Sequence, residues 1–208
     1  MSSTCLRCGG TGILVNGERC TECEKDTSTL QPMVYGVPAQ YQGVKFDKSF
    51  LPEKFQKTYG EFMEELMHTI LTDYAFYQKN ILICSKPNTG KTVWTYNLYS
   101  ELSSKGYEIP TLRDIIEVRN ILNSYADKDE ANLISNARCM VVKIPKDIQF
   151  WMFDTLSSLV ERRVRNDGFT IFLFGGSKDD LKYADKYGRL RDLEGTGAYN
   201  SIKIYDFN

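Results

Sequence analysis

Only one histidine, His68, occurs among the 208 residues, and no catalytic triad can be assembled around it. It falls on a helical apolar stripe and reads as an ordinary helix residue. Long apolar runs are missing too: none approaches the roughly 18 residues that a membrane-crossing helix needs. The first residues, Met1-Ser2-Ser3-Thr4-Cys5, lack the basic and apolar blocks of a secretory signal, which points to the cytoplasm. Neither sign of charge dominates, since 26 lysines and arginines stand against 27 aspartates and glutamates for a net charge of -1. That balance excludes a surface that attracts nucleic acid everywhere and leaves room for a local basic patch. Internal repeats and low-complexity tracts are absent as well.

What is present, 42% hydrophobic and 12% aromatic residues, suits one globular domain with a small appendage. The six cysteines form two populations. Cys5, Cys8, Cys20 and Cys23 crowd the N-terminus, while Cys84 and Cys139 sit in apolar runs and read as small buried hydrophobes. Residues 1–27 are too poor in large apolar side chains to fold unaided. Their C-x2-C-x11-C-x2-C spacing brings four thiolates around one tetrahedral zinc, a closed structural site without a position for catalytic water. The alternatives are two disulfides, which a cytoplasmic chain disfavours, or four unrelated thiols. Cys8-Gly9-Gly10-Thr11-Gly12 resembles one cysteine-glycine repeat of the zinc domain of DnaJ-type chaperones. Residues 28–52, with Pro32, Pro38 and Pro52, read as a connector arm, and residues 53–208 as the main domain. Tyr35, Tyr41, Phe46 and Phe50 either anchor that arm on the domain or stack on single-stranded bases.

From Phe55 to Tyr74, apolar residues recur at helical spacing and predict a helix of about 20 residues. Asn80–Cys84 reads as a buried strand, followed by a loop and a helix from Lys91. Thr111-x-x-Asp114 predicts a capping box for a helix reaching about Ser124, and 127–130 a solvated loop. Cys139–Val142, Thr170–Phe174 and Ser201–Tyr205 read as strands, and Ile148–Val164 as a helix. Strands alternating with helices predict an α/β fold with a parallel sheet covered on both faces.

Ser85-Lys86-Pro87-Asn88-Thr89-Gly90-Lys91-Thr92 lies between a strand and a helix, where a G-x-x-x-x-G-K-[ST] loop wraps phosphates with backbone N–H groups. Lys91 would neutralise the outer phosphates of ATP or ADP, Thr92 would hold Mg²⁺, and the helix dipole would add positive charge. Ser85 stands where the pattern has glycine, so the first turn is expected to cost more.

With that loop on the page, the chain resembles the DnaC/IstB branch of AAA+ ATPases, the bacterial and phage helicase loaders, including the DnaI type with an N-terminal zinc domain. Gly36-Val37-Pro38-Ala39-Gln40-Tyr41 with Val44-Lys45-Phe46-Asp47 is similar to the segment that leads into the family's ATPase core. Residues 170–181 resemble one of its strands with the helix start that follows, and Gly188-Arg189-Leu190 its arginine-finger element. The resemblance spans residues 36–208 and implies an AAA+ P-loop fold, ATP/ADP with Mg²⁺ as ligand, a DnaB-type replicative helicase as partner, single-stranded DNA as a second ligand, and self-assembly. It implies Arg189 as a finger acting in trans, with Arg191 as the neighbouring alternative.

Two departures qualify the catalytic expectation. The strand that carries an acidic pair in the family reads Cys139-Met140-Val141-Val142-Lys143-Ile144-Pro145, with Asp147 and Asp114 as the nearest acids, and the sensor asparagine falls on Gly175. A lysine reverses the charge at the metal position and an isoleucine cannot polarise water, so little or no hydrolysis is expected. Arg162, Arg163 and Arg165 either stabilise a helix end or meet a neighbour or DNA phosphate. Three readings follow: a helicase loader with a degenerate core, an active IstB-like ATPase in transposition or DNA remodelling, and a zinc-stapled adaptor that binds no nucleotide.

Overall fold

The computed structural model describes residues 37–124, 128–195 and 201–208. Among them five strands form one sheet: β1 (Asn80–Cys84), β2 (Arg113–Asp114), β3 (Cys139–Ile144), β4 (Phe169–Phe174) and β5 (Ile202–Asp206). Their spatial order is β2-β3-β4-β1-β5, and every pairing is parallel. β1 and β4 are buried along their whole length, which is why they read as unbroken apolar runs with no alternation.

Strand parity divides those apolar residues between two cores. Ile81, Ile83, Cys139, Val141, Ile171 and Leu173 face one layer, while Leu82, Cys84, Met140, Val142, Phe172 and Phe174 face the other. The first layer is built by α1 (Glu53–Phe55), α2 (Glu61–Thr72) and α3 (Lys91–Ser104). A π turn, Gln56–Gly60, joins α1 to α2, so the expected long helix is one rod with a widened turn. The second layer contains α4 (Ile115–Asn123), α5 (Lys128–Asn136), α6 (Phe150–Arg165), α7 (Lys178–Ala184) and α8 (Arg189–Gly195). No helix among the described residues is long and apolar enough to cross a membrane.

Three expectations need correction. The cap of α4 is Asp114 and not Thr111: its carboxylate accepts from the N–H groups of Ile116 and Glu117, and Glu117 reaches back to the Asp114 N–H. Residues 128–130 are the first turn of α5 and not a loop, because Asp129 and Glu130 sit where the helix dipole favours acids. Arg163 is neither a helix-end charge nor an interface cation.

Arg163 is fully buried. It donates to the carbonyls of Ile134 and Ala137 at the end of α5, to Phe169 O at 2.8 Å and to Thr170 Oγ1 at 2.9 Å. These bonds join α5, α6 and β4 by satisfying carbonyls that a helix end leaves open. Arg162 and Arg165 remain exposed, Arg165 lying 3.9 Å from Glu161.

Candidate phosphate-binding site

β1 delivers the chain to the loop at Ser85, and α3 carries it away from Lys91. Between them, Asn88 (φ 63°) and Gly90 (φ 75°) adopt left-handed backbone. Asparagine visits that region more readily than most side chains and glycine adopts it freely. Ser85 is not among the residues with positive φ, so the cost expected at the first position of the loop does not arise there.

The loop's polar interior closes on Lys91. Its ammonium donates to Ser85 O at 2.9 Å, Ser85 Oγ at 2.9 Å, Lys86 O at 2.7 Å and Thr89 Oγ1 at 3.1 Å. Ser85 and Thr89, both buried, also share a hydroxyl–hydroxyl bond of 3.0 Å. Burial pushes the Lys91 pKa down to about 8, opposed only by the electrostatic effect of Cys84. Tyr59, at the end of the π turn, is completely buried, and its hydroxyl has no hydrogen-bond partner. It lies beside the Ser85 and Thr89 hydroxyls without meeting either in bonding geometry, and burial raises its pKa to about 12.

The connector braces this arrangement from outside. Tyr41 stacks on Tyr96 of α3 with ring centroids 4.6 Å apart, and the Phe46 N–H donates to Asn97 Oδ1 at 3.1 Å. A Cβ on Gly90 would come within 3.2 Å of the Phe46 ring. Tyr41 and Phe46 thus anchor the arm on its own domain, whereas Phe50 is 85% exposed. Tyr35 and the four N-terminal cysteines Cys5, Cys8, Cys20 and Cys23 lie outside the described residues. Nothing in the spacing of the sequence announces Asn97 as the arm's anchor.

The first turn of α3 carries no side-chain cap and no acidic residue, in contrast to the capping boxes of α4 and α7. Open N–H groups at a helix start, a glycine-containing loop and an ammonium together form an anion cradle. Lys86, Pro87 and Asn88 at its lip are exposed, and Thr92 is partly so.

A metal ion fits less well. Mg²⁺ asks for oxygen ligands in octahedral geometry and is commonly held by one or two carboxylates together with substrate phosphates. Beyond Val142, the carboxyl end of β3 offers Lys143, Ile144, Pro145 and Lys146, leaving the Thr92 hydroxyl as the loop's own candidate ligand. Gly175, the residue just after β4 on which the resemblance puts the sensor asparagine, faces open space where a side chain would stand. Nearby carboxylates are already engaged. Asp114 caps α4. Asp180 accepts from Ser177 N and Oγ, and Asp206 from the N–H groups of Lys178 and Asn208. Asp147 is exposed in the loop after β3. No group of three or more His, Cys, Asp or Glu side chains suited to a metal occurs among the described residues.

The remaining sequence candidates sit elsewhere. Arg189 opens α8 and pairs with Asp154 of α6 at 3.2 Å, with both side chains more than half exposed. His68 is exposed on α2, and Cys84 and Cys139 are buried free thiols.

No protein-family model matches this chain, and no curated protein does. Solved structures do match in fold. A structure of DnaI is 14% identical with a TM-score of 0.56, covering 82% of this chain and 92% of its own. The DnaC helicase loader is 13% identical with a TM-score of 0.55, covering 80% and 99%. Replication initiator DnaA bound to AMPPCP and single-stranded DNA is 10% identical with a TM-score of 0.55, covering 83% of this chain and 51% of DnaA. The described core therefore shares the parallel-sheet α/β fold of these structures.

Proposed function

We propose that this protein is a helicase loader of DNA replication whose core binds ATP or ADP and turns it over slowly or not at all. The observation that carries the proposal is a phosphate cradle at the end of the inner strand β1, on the same edge of the sheet as β3, two strands away, whose carboxyl end has a lysine in place of an acid. Such a site can hold polyphosphate by dipole and ammonium, yet it lacks a carboxylate to orient water or metal. Nucleotide then acts as a conformational ligand, shifting assembly by its preference for one state. Residues 1–27 would be the zinc-stapled module that docks on a DnaB-type hexameric helicase in the cytoplasm, with 28–52 as the connector and 53–208 as the nucleotide domain. DnaI and the DnaC helicase loader share the fold, which supports this assignment. A DnaA with the same fold carries AMPPCP and single-stranded DNA, which supports nucleotide as a ligand and single-stranded DNA as a second one. In an assembly, Arg189 would leave its exposed pair with Asp154 to reach a neighbour's nucleotide.

The test is capture of a replicative helicase by the full chain, with and without ATP, alongside nucleotide retention and turnover. Helicase capture with retained nucleotide and negligible turnover is expected. Robust Mg²⁺-dependent hydrolysis abolished by Lys91→Ala would favour the ATPase reading, and capture that ignores nucleotide and needs only residues 1–27 would favour the adaptor.

A further inference from the structure

The misfit between this site and a carboxylate-held metal has a positive counterpart in Lys143. By parity, Lys143 shares its sheet face with Cys139 and Val141, the face against which α3 packs. The packing is direct: the Tyr99 hydroxyl of α3 accepts from Val141 N at 2.8 Å. From Tyr99 back to Lys91 is eight residues, about 12 Å along the helix. From Val141 to Lys143 the strand advances about 6.6 Å toward the same carboxyl edge. The difference, about 5 Å, is within the span of a four-carbon lysine stem. Along the strand direction the Lys143 ammonium therefore comes level with the first turn of α3, while sideways β4 separates its strand from β1 by two spacings, about 10 Å, a gap that an extended di- or triphosphate can bridge.

Lys143 is partly exposed and makes no ion pair with any described residue. Asp114, its register neighbour on β2, spends its carboxylate on the cap of α4. Lys91 follows β1 and Lys143 lies on β3, with β4 between the two strands, so the two ammoniums stand at separate positions along the sheet edge. A di- or triphosphate needs cations arranged in that way.

We propose that Lys143 is the second phosphate-binding cation of this site and takes the place of a divalent metal, so that nucleotide binds without Mg²⁺. This rests on the nucleotide-binding reading above and adds the counter-cation to it. An ammonium satisfies phosphate oxygens as a point charge, and it offers no vacant coordination position at which water could be activated. Binding and turnover are thereby separated by one side chain.

The experiment is calorimetric titration of the full-length protein with ADP, once in EDTA and once in MgCl2. Near-equal affinity in the two buffers is expected, with Lys143→Ala weakening binding about tenfold or more in EDTA, the scale of one lost charge-assisted contact. Lys143→Arg should retain most of the affinity, and Lys143→Asp should make binding Mg²⁺-dependent. Thermal melts of each variant establish that a loss is not unfolding, since the partly exposed Lys143 side chain has no hydrogen-bonded partner among the described residues. Binding by the unaltered protein only in MgCl2, or binding in EDTA that is indifferent to Lys143→Ala, would overturn the inference while leaving nucleotide binding intact. No heat in either buffer, and none for Lys143→Asp with MgCl2, would reject the nucleotide reading and this inference with it.

Discussion

Lys91 makes nucleotide affinity depend on pH in a way that the loop geometry predicts. Its ammonium is enclosed by Ser85 O, Lys86 O and two hydroxyls, and burial holds its pKa at about 8. An incoming phosphate adds negative charge and raises that pKa, so the bound state takes up the proton that the free state loses. Affinity is then full well below pH 8 and falls as pH rises through the free-state value. With a free-state pKa near 8, about nine-tenths of the lysine is charged at pH 7 and about one-tenth at pH 9, so Kd should weaken about tenfold between them. The assay is ADP titration from pH 6.5 to 9.5 in two buffers of different ionisation enthalpy, which also counts the proton taken up. Lys91→Arg is the control: a guanidinium stays charged throughout, and whatever affinity it retains should be flat over the range. A wild-type affinity that is flat, or that improves above pH 8, would refute the enclosed-ammonium account. The sign for stability is the opposite. Because the folded pKa lies below the ordinary lysine value of 10.5, the unfolded chain binds more protons between about pH 8 and 10.5, and the Lys91 contribution to stability rises across that window.

Other perturbations separate parts of the structure. Arg163→Ala strands the α5 carbonyls and Phe169 O that the guanidinium now satisfies; a loss of about 3–5 kcal/mol in chemical denaturation is expected. Arg162→Ala, on the exposed side of the same turn, should cost within about 0.5 kcal/mol, and equal effects of the two would contradict the burial argument. Gly90→Ala must hold a side chain at φ 75° within 3.2 Å of the Phe46 ring, so nucleotide binding should be lost and the melting temperature lowered; a variant that binds normally would show that the loop is not the cradle. Tyr59→Phe removes a buried hydroxyl that lacks a partner, and its stability should change by less than about 1 kcal/mol in either direction; a larger loss would mean that Tyr59 bonds to Ser85 or Thr89 in solution.

What the sequence by itself determined is local. The spacing from Ser85 to Thr92 between an apolar run and a helix specifies the loop, because a cradle of backbone N–H groups is built from consecutive residues. Apolar runs at 80–84, 139–142 and 170–174 specify buried strands, and the text that follows the second run shows Lys143 and Ile144 where acids would stand. Tertiary structure decided whatever depends on a partner distant in the chain. Nothing around Arg163 indicates that it turns inward, because its acceptors lie at Ile134, Ala137 and Phe169 and meet it only when α5, α6 and β4 pack. The brace of Phe46 on Asn97 spans 51 residues, and its role in excluding a side chain at Gly90 exists only once the arm has folded onto α3. Thr111 and Asp114 present equivalent caps in text, and the geometry of β2 chose between them. The face of Lys143 follows from parity, but its level with the start of α3 comes from the Tyr99–Val141 contact, since a helix can slide along a sheet until one specific hydrogen bond fixes its register.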